Sequence, residues 1–384
     1  MMKIAVVTDS YHPQKNGVVV FLDDFLPQIA KHADVVVLAP GESKLKVEKH
    51  GRIKTYWVPA LPFPFYEGYR MSTARSRLIT QIFKDEKPDV VHLHAPILLG
   101  LRALFVAKKM HLPVAATYHT HFPEYVSHLS KGLVKGKLEK FAQTPVKYLV
   151  GTVFSRADVT TAPTATLTRE LKSYGVKNAV WVPNGIRFSK FRKRSLDSRK
   201  KYGIPENAPL VLYVGRISFE KKIEVLMSAF KKAQQSFPDA YLLIAGGGPY
   251  LKDYRKLAQA MNLQQVVFPG FVPDTQLPSL YAAANIFVSA SDTETFGLTF
   301  VEAMHFGIPV IGANRLGAKD VITKQAGYLV EPGAVDPLAS KLCLLLSNKK
   351  LRKKMGAAGK KEAKKYQMAN VATQFLQLYR RMLR

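Results

Sequence analysis

The sequence predicts an α/β protein of two Rossmann-like domains, each a parallel sheet covered by helices, joined by a hinge so that they face across a cleft. Three observations lead there. At 384 residues, 47% of them apolar, the chain is too long for one typical domain and apolar enough for two cores. Short, near-continuous apolar runs alternate with helical stretches, the pattern of strands buried on both faces. The alternation stops at Val182-Pro183-Asn184-Gly185, gives way to basic residues as far as Lys201, and restarts at Leu210.

In the first half, strands are read at residues 4–8, 35–38, 55–58, 89–94, 113–118 and 158–162, with a helix over 19–29 after the first. The second half opens with strands at 210–215 and 241–246 and then reaches residues 285–312. Ile286-Phe287-Val288 is too short an apolar run for a helix and reads as a buried strand. A loop dense in hydroxyls and carboxylates follows over 289–294. The run 296–304 suits a buried helix that Gly307 closes, and Ile308-Pro309-Val310-Ile311 reads as the next strand. A last helix is expected over 367–383. The domain boundaries are placed at 1–187 and 200–365, with 366–384 as a separate terminal helix.

Composition removes several classes. Cys343 is the only cysteine and reads as a buried helix residue, so disulfides and thiolate metal clusters are excluded and a reducing, cytoplasmic setting is expected. The best apolar run, 97–107, is short and broken by Arg102, so no membrane span is expected. The first residues lead straight into a strand without a signal-peptide pattern. The net charge of +29 is high, and the last 40 residues hold 12 basic side chains against one acidic. Such charge favours a polyanionic surface, nucleic acid or anionic lipid, and equally fits a lysine-rich proteome. No nucleic-acid-binding module is recognisable, so no nucleic-acid partner is expected.

The candidate site residues cluster where strands end. Strand, loop, helix, strand over 285–312 is a βαβ unit, and ligands in such sheets bind beyond the carboxyl ends of the strands. The first amides of a helix lack intrahelical partners, and the dipole adds partial positive charge. The backbone of Thr295, Phe296, Gly297 and Leu298 is therefore expected to cradle phosphate. Glu294 before the helix and Glu302 within it suit a ligand with hydroxyls on either side of a diphosphate; alternatively Glu294 caps the helix and Glu302 is a solvated helix residue. Arg216 and Lys221 follow the strand at 210–215, where two cations can neutralise a departing diphosphate, or simply line a solvated loop. Asn16-Gly17-Val18 follows the first strand and can bring a backbone amide close to phosphate, although Asn-Gly is also an ordinary turn. His119 and His121 share a face at another strand end; a metal site is conceivable there, but no nearby carboxylate or thiol completes it, and no metal is expected. His92 and His94 read as structural or rim residues. Gly246-Gly247-Gly248 is a turn able to let backbone approach a nucleotide. Val134, Leu138 and Phe141 form an apolar stripe with Lys131, Lys135, Lys137, Lys140 and Lys147 around it, either a packed helix or one lying on an anionic membrane.

Taken together, the segment S-x-x-E-T-F-G-x4-E-A-M-x-x-G-x-P-V around Glu294 and Glu302 resembles the signature of the retaining glycosyltransferases of family 4, which have the two-domain GT-B fold. Asn-Gly-Val, the histidine strand, Pro-Asn-Gly, Gly-Arg-x4-Lys and Glu-x7-Glu occur in that family's order, so the resemblance covers nearly the whole chain. It implies that Glu294 contacts donor-sugar hydroxyls and Glu302 the nucleotide ribose. Arg216 and Lys221 would then stabilise the leaving diphosphate, and His119 would hydrogen-bond the transferred sugar. Gly17 would touch the diphosphate, with Asn16 standing where a glycine is commoner, a departure that lipid-acceptor members tolerate. Val272, within Phe271-Val272-Pro273, would meet the nucleobase through backbone, and the last helix would cross back to the first domain. The form H-T-x-F-P-E-Y from His119 is most similar to glycolipid-forming members. The resemblance thus implies a metal-independent, cofactor-free enzyme, peripheral on the inner face of the cell membrane, moving glucose or mannose from a nucleotide sugar to a lipid such as diacylglycerol or phosphatidylinositol. A transferase with a soluble acceptor and a nucleotide-sugar epimerase are the rival enzymes.

Overall fold

The computed structural model describes residues 1–14, 16–63, 68–123, 137–191 and 197–384, the side chains of 137–142 excepted. Glu124, Tyr125 and the basic stripe around Val134, Leu138 and Phe141 lie outside these described residues and side chains. The chain divides into two compact units, Met1–Ile186 with Met368–Arg384, and Arg187–Gln367.

The first unit holds β1 (Lys3–Thr8), β2 (Asp34–Pro40), β3 (Lys46–His50), β4 (Ile53–Val58), β5 (Ala60–Pro62), β6 (Arg70–Ser72), β7 (Val90–His94), β8 (Val114–Thr117), β9 (Val159–Ala162) and β10 (Ala179–Trp181). Eight of these form one sheet in the order β10-β9-β8-β7-β1-β2-β4-β3. All neighbours run parallel except β3, which is antiparallel to β4 at the edge. The first sheet is thus the expected parallel sheet with one antiparallel strand added at its edge. The edge strand reads Lys-Val-Glu-Lys-His and is almost fully exposed, so it lacks the apolar run that marks its neighbours; such charge suits a sheet edge that must not pair further. The β5–β6 hairpin and the short strand β10 are further additions to the expected elements.

The second unit holds β11 (Leu210–Val214), β12 (Tyr241–Ala245), β13 (Val266–Gly270), β14 (Ile286–Ser289), β15 (Val310–Ala313) and β16 (Gly327–Val330), all parallel in the order β13-β12-β11-β14-β15-β16. Chain order reverses beside β1 in the first sheet and beside β11 in the second. These switch points are where parallel sheets open a crevice for ligands.

Each unit has its own core. Val371, Phe375, Leu376 and Tyr379 of the terminal helix Met368–Met382 pack with Phe21 and Phe25 of the helix Gly17–Ile29 on the first sheet. The returning chain is fastened where Met368 N donates to the Ile186 carbonyl at 3.0 Å. Gly185 is a glycine for a steric reason, since an added Cβ would sit 2.8 Å from Met368 Cα. In the second unit the helices Ile223–Gln234 and Val335–Ser347 bury Leu226, Phe230, Leu338 and Leu342 against the sheet.

Candidate active site

The site of the second unit is built on the switch point between β11 and β14. The strand β14 is fully buried, and the chain then runs outward through residues 290–297 before the helix Leu298–Phe306. That helix opens two residues later than expected. Gly297 is its N-cap residue at φ 83°, and an added Cβ would meet Phe300 Cδ2 at 2.6 Å, so the left-handed turn and the ring beneath it both require glycine. Of the four expected phosphate-binding amides, only that of Leu298 belongs to the helix mouth; Thr295, Phe296 and Gly297 form the strap before it. The Phe296 side chain is buried, edge-on to Tyr366 at 5.3 Å. The strap is pinned from beneath: Gly317 N donates to the Glu294 carbonyl at 2.7 Å, and a Cβ on Gly317 would lie 2.5 Å from Phe296 N.

Glu294 and Lys221 are brought together, with Lys221 Nζ 2.7 Å from Glu294 Oε1 and the two side chains 19% and 21% exposed. The loops that carry them are tied by Ser291, whose hydroxyl donates to the Glu220 carbonyl at 3.4 Å. Arg216 stands exposed at the end of β11. Its carbonyl accepts from Tyr213 Oη at 3.0 Å. Burial, reinforced by Glu294 and Glu220, pushes that phenol well above its ordinary range, so it stays a donor. The three-glycine turn does something different from what its sequence suggests. A Cβ on Gly246 would fall 1.8 Å from the Gly215 carbonyl, and one on Gly248 2.2 Å from that of Ile217. The close approach is thus to the loop carrying Arg216, which Ile217 N clamps by donating to Gly247 O at 2.8 Å.

Glu302 is 6% exposed, which excludes the solvated-residue alternative. Tyr281 Oη donates to its Oε2 at 2.7 Å, and Lys190 Nζ lies 3.9 Å from Oε1. Burial first, then Glu302 itself, pushes the Tyr281 phenol well above its ordinary range. Val272 is buried, whereas its neighbour Phe271 is exposed.

In the first unit, Asn16 caps the helix Gly17–Ile29: Oδ1 accepts from Val18 N and Val19 N at 3.0 and 3.1 Å, while Nδ2 donates to Ser10 Oγ at 2.7 Å. Two of the amides at this helix mouth are therefore occupied by the side chain that replaces the commoner glycine. Beside Gly17 the space is open: apart from its chain neighbours and its own helix backbone, no atom of the described residues lies within 4 Å of an added Cβ. The neighbouring helix Leu99–Lys109 is capped by Asp9, the residue just after β1, which accepts from the amides of Ile97, Leu98, Leu99 and Gly100 at 2.7–3.1 Å. His119 is 7% exposed, and burial holds its ring down at about 3, so it is neutral near pH 7. Its Nε2 lies 2.8 Å from His94 Nδ1. His92 and His94 are fully buried, so they are structural and not on a rim. His121 Nε2 pairs with Glu170 Oε1 at 2.9 Å. Burial would raise Glu170, but its contacts with His121 and Tyr174 outweigh that and hold it below the usual range. Among the described residues no three His, Cys, Asp or Glu side chains are grouped to hold a metal ion.

A family model described as Glycosyltransferase Family 4 matches residues 15–190, and one described as Glycosyl transferases group 1 matches residues 195–362. Over 318 residues the chain is 30% identical to the alpha-monoglucosyldiacylglycerol synthase of Streptococcus pneumoniae, covering 81% of this chain and 70% of that one. This chain belongs to glycosyltransferase family 4. It is also 31% identical over 356 residues to the sulfoquinovosyl transferase SQD2 of Arabidopsis thaliana, covering 89% of this chain and 66% of that relative's length. The sucrose-phosphate synthase of Thermosynechococcus elongatus has the same fold, with a TM-score of 0.78 at 20% identity over 100% of this chain and 99% of the other. The two parallel-sheet units of this family 4 glycosyltransferase are those of the GT-B fold expected from its sequence.

Several residues that shape the site had no motif to mark them. Tyr281, Gly317, Tyr213 and Asp9 act through contacts made 21 or more positions away or through a single backbone oxygen, and none of those contacts leaves a spacing to read. Among the described residues of this glycosyltransferase no helix is long and apolar enough to cross a membrane.

Proposed function

We propose that this glycosyltransferase moves a hexose, glucose or mannose, from a nucleoside-diphosphate sugar to a hydroxyl of a membrane lipid such as diacylglycerol or phosphatidylinositol. Transfer keeps the anomeric configuration and needs no metal. The observation that carries the reading is the Lys221–Glu294 pair at the β11/β14 switch point, a cation held 2.7 Å from the first glutamate of the Glu-x7-Glu motif. As the bond from the sugar C1 to the phosphate oxygen breaks, Arg216, Lys221 and the Leu298 amide stabilise the charge that builds on the diphosphate. The acceptor oxygen bonds to C1 on the same face, and its proton passes to a phosphate oxygen of the leaving group. Glu294 holds sugar hydroxyls, Glu302 the ribose and the Val272 segment the base; Gly17 and His119 have the diphosphate and sugar roles that family resemblance gives them.

The lipid acceptor is supported by the relative named alpha-monoglucosyldiacylglycerol synthase. It is supported also by charge: Lys349, Lys350, Lys353, Lys354, Lys360 and Lys361 all stand exposed on the helix Lys349–Ala363, a surface suited to anionic lipid at the cytoplasmic face. The test is incubation with UDP-glucose or GDP-mannose and anionic vesicles containing diacylglycerol or phosphatidylinositol, with and without chelator, followed by mass spectrometry and determination of the anomer. An α-linked glycolipid formed equally in chelator is expected. An inverted linkage, a free altered sugar, or transfer only to soluble acceptors without sedimentation on vesicles would overturn the reading.

A further inference from the structure

Beneath His119 the imidazoles form a line into the core of the first unit. His119 Nε2 lies 2.8 Å from His94 Nδ1, and His94 Nε2 lies 3.2 Å from His92 Nδ1. His92 Nδ1 also lies 2.6 Å from the Tyr379 hydroxyl in the terminal helix. On its other side, His92 Nε2 is 2.7 Å from Thr117 Oγ1, which is 2.7 Å from Thr161 Oγ1. His92, His94, Tyr379, Thr117 and Thr161 are all at most 1% exposed, walled by Phe21, Phe25 and Phe375. Burial pushes the three imidazoles far below the ordinary histidine range, so each carries one N–H and one lone pair.

Three neutral rings in this line have few ways to share their protons. If His94 carries its proton on Nε2, it donates to His92 Nδ1 and must accept from His119 Nε2–H. His92 is then protonated on Nε2 and donates to Thr117, Thr117 donates to Thr161, and the one lone pair of His92 Nδ1 is shared by the Tyr379 hydroxyl at 2.6 Å and His94 Nε2–H at 3.2 Å. Every contact has one proton. If His94 carries its proton on Nδ1 instead, one of two faults appears. Either two lone pairs face each other across the His94–His92 contact, or His92 is protonated on Nδ1 and the Tyr379 hydroxyl, fully buried, loses its acceptor. A lone pair shared by two donors keeps every buried donor partnered, whereas facing lone pairs repel and a buried donor without a partner is costly, so the first arrangement prevails.

We propose that Tyr379, His92 and His94 form a relay that fixes His119 in its Nε2–H tautomer and leaves its Nδ1 as a hydrogen-bond acceptor for a hydroxyl of the donor sugar. Among the described residues the His119 ring bonds only through Nε2, which leaves Nδ1 for that ligand. The inference deepens the proposed function and rests on it for the identity of the ligand; the tautomer itself does not depend on it. Tyr379, His92 and His94 are positioning residues that never touch the sugar. The relay also sets a specificity: a donor whose hydroxyl at this position is replaced by fluorine or a methyl ether cannot donate to Nδ1.

The test is long-range 1H–15N correlation on the substrate-free enzyme labelled at histidine, with the His119 signals assigned by their loss in His119→Gln. The expected spectrum shows His119 protonated on Nε2 over Nδ1 by at least about tenfold. Tyr379→Phe removes the hydroxyl that disfavours the other arrangement, and Thr117→Val removes the acceptor of His92 Nε2–H. Each is expected to raise the Nδ1–H form of His119 by roughly tenfold without touching that ring. The two variants alter different elements, so failure of one to fold leaves the other. His119 protonated on Nδ1 in the wild type, or unmoved in a folded variant, would overturn the relay. Sugar transfer by His119→Gln is measured separately: normal transfer would remove His119 from the reaction while the spectrum still decided the relay.

Discussion

Replacing Lys221 by alanine perturbs two things that the structure links. The ammonium lies 2.7 Å from Glu294 with about a fifth of each side chain exposed, between the surface pairs that contribute almost nothing and the buried ones whose disruption is severe. Its loss should cost about 1–2 kcal/mol of stability, a fall in melting temperature of roughly 2–8 °C for the second unit. The effect on turnover should be larger. A cation aimed at charge that develops on a leaving group contributes on the order of 3–4 kcal/mol, and the stranded Glu294 carboxylate would repel the same diphosphate. Turnover is therefore expected to fall at least ~100-fold in Lys221→Ala, and by a similar factor in Glu294→Ala. Because the two groups act on each other, the double variant should lose far less than the product of the single losses. Release of nucleoside diphosphate, followed beside thermal melting by circular dichroism, separates the two effects. Turnover within about threefold of wild type in a folded Lys221→Ala enzyme would refute the assignment, and strict multiplicativity in the double variant would refute the coupling.

Other consequences follow from single contacts. His92 and His119 are held at about 3 and His94 well below 6.5, whereas unfolded rings titrate near 6.5, so the unfolded chain binds more protons below that pH. Stability of the first unit should fall as pH drops from 6.5 towards 3, by up to about 1.4 kcal/mol per pH unit for each histidine; urea melts that match at pH 6.5 and 5 would contradict this. Gly317→Ala puts a Cβ 2.5 Å from Phe296 backbone, which cannot give way as a side-chain tip can. It should cost about 1–3 kcal/mol and lower kcat/KM at least ~10-fold, and a normal melt with normal turnover would show that the strap 294–297 is not pinned there. Asn16→Ala should destabilise the first unit by about 1 kcal/mol in urea, since Val18 N and Val19 N lose their acceptor; an unchanged midpoint would count against the cap.

Most of both sheets could be read in advance because their strands are buried on two faces and so carry continuous apolar runs; β1, with five of its six residues buried, is an example. The edge strand β3 could not, since its exposed Lys-Val-Glu-Lys-His has no such run. The apolar pattern starts the motif helix two residues early because Phe296, apolar and buried, continues the periodicity although its backbone belongs to the strap. Gly-Gly-Gly pointed to a close backbone approach but not to its object, which is the Arg216 loop. Asn16 is legible as a departure from a pattern, but not that its Oδ1 closes the helix mouth while its Nδ2 ties back to Ser10. The line from His119 to Tyr379 joins positions separated by 287 residues at its longest contact, beyond any local spacing.

The most direct measurement is a crystal structure of the enzyme with a bound nucleoside diphosphate or its sugar. The diphosphate is expected within hydrogen-bond distance, roughly 3 Å, of Lys221 Nζ and the Leu298 amide, with Glu294 turned from Lys221 towards the sugar. A ligand held elsewhere, with the Lys221–Glu294 pair intact and no phosphate on either cation, would contradict the proposed chemistry.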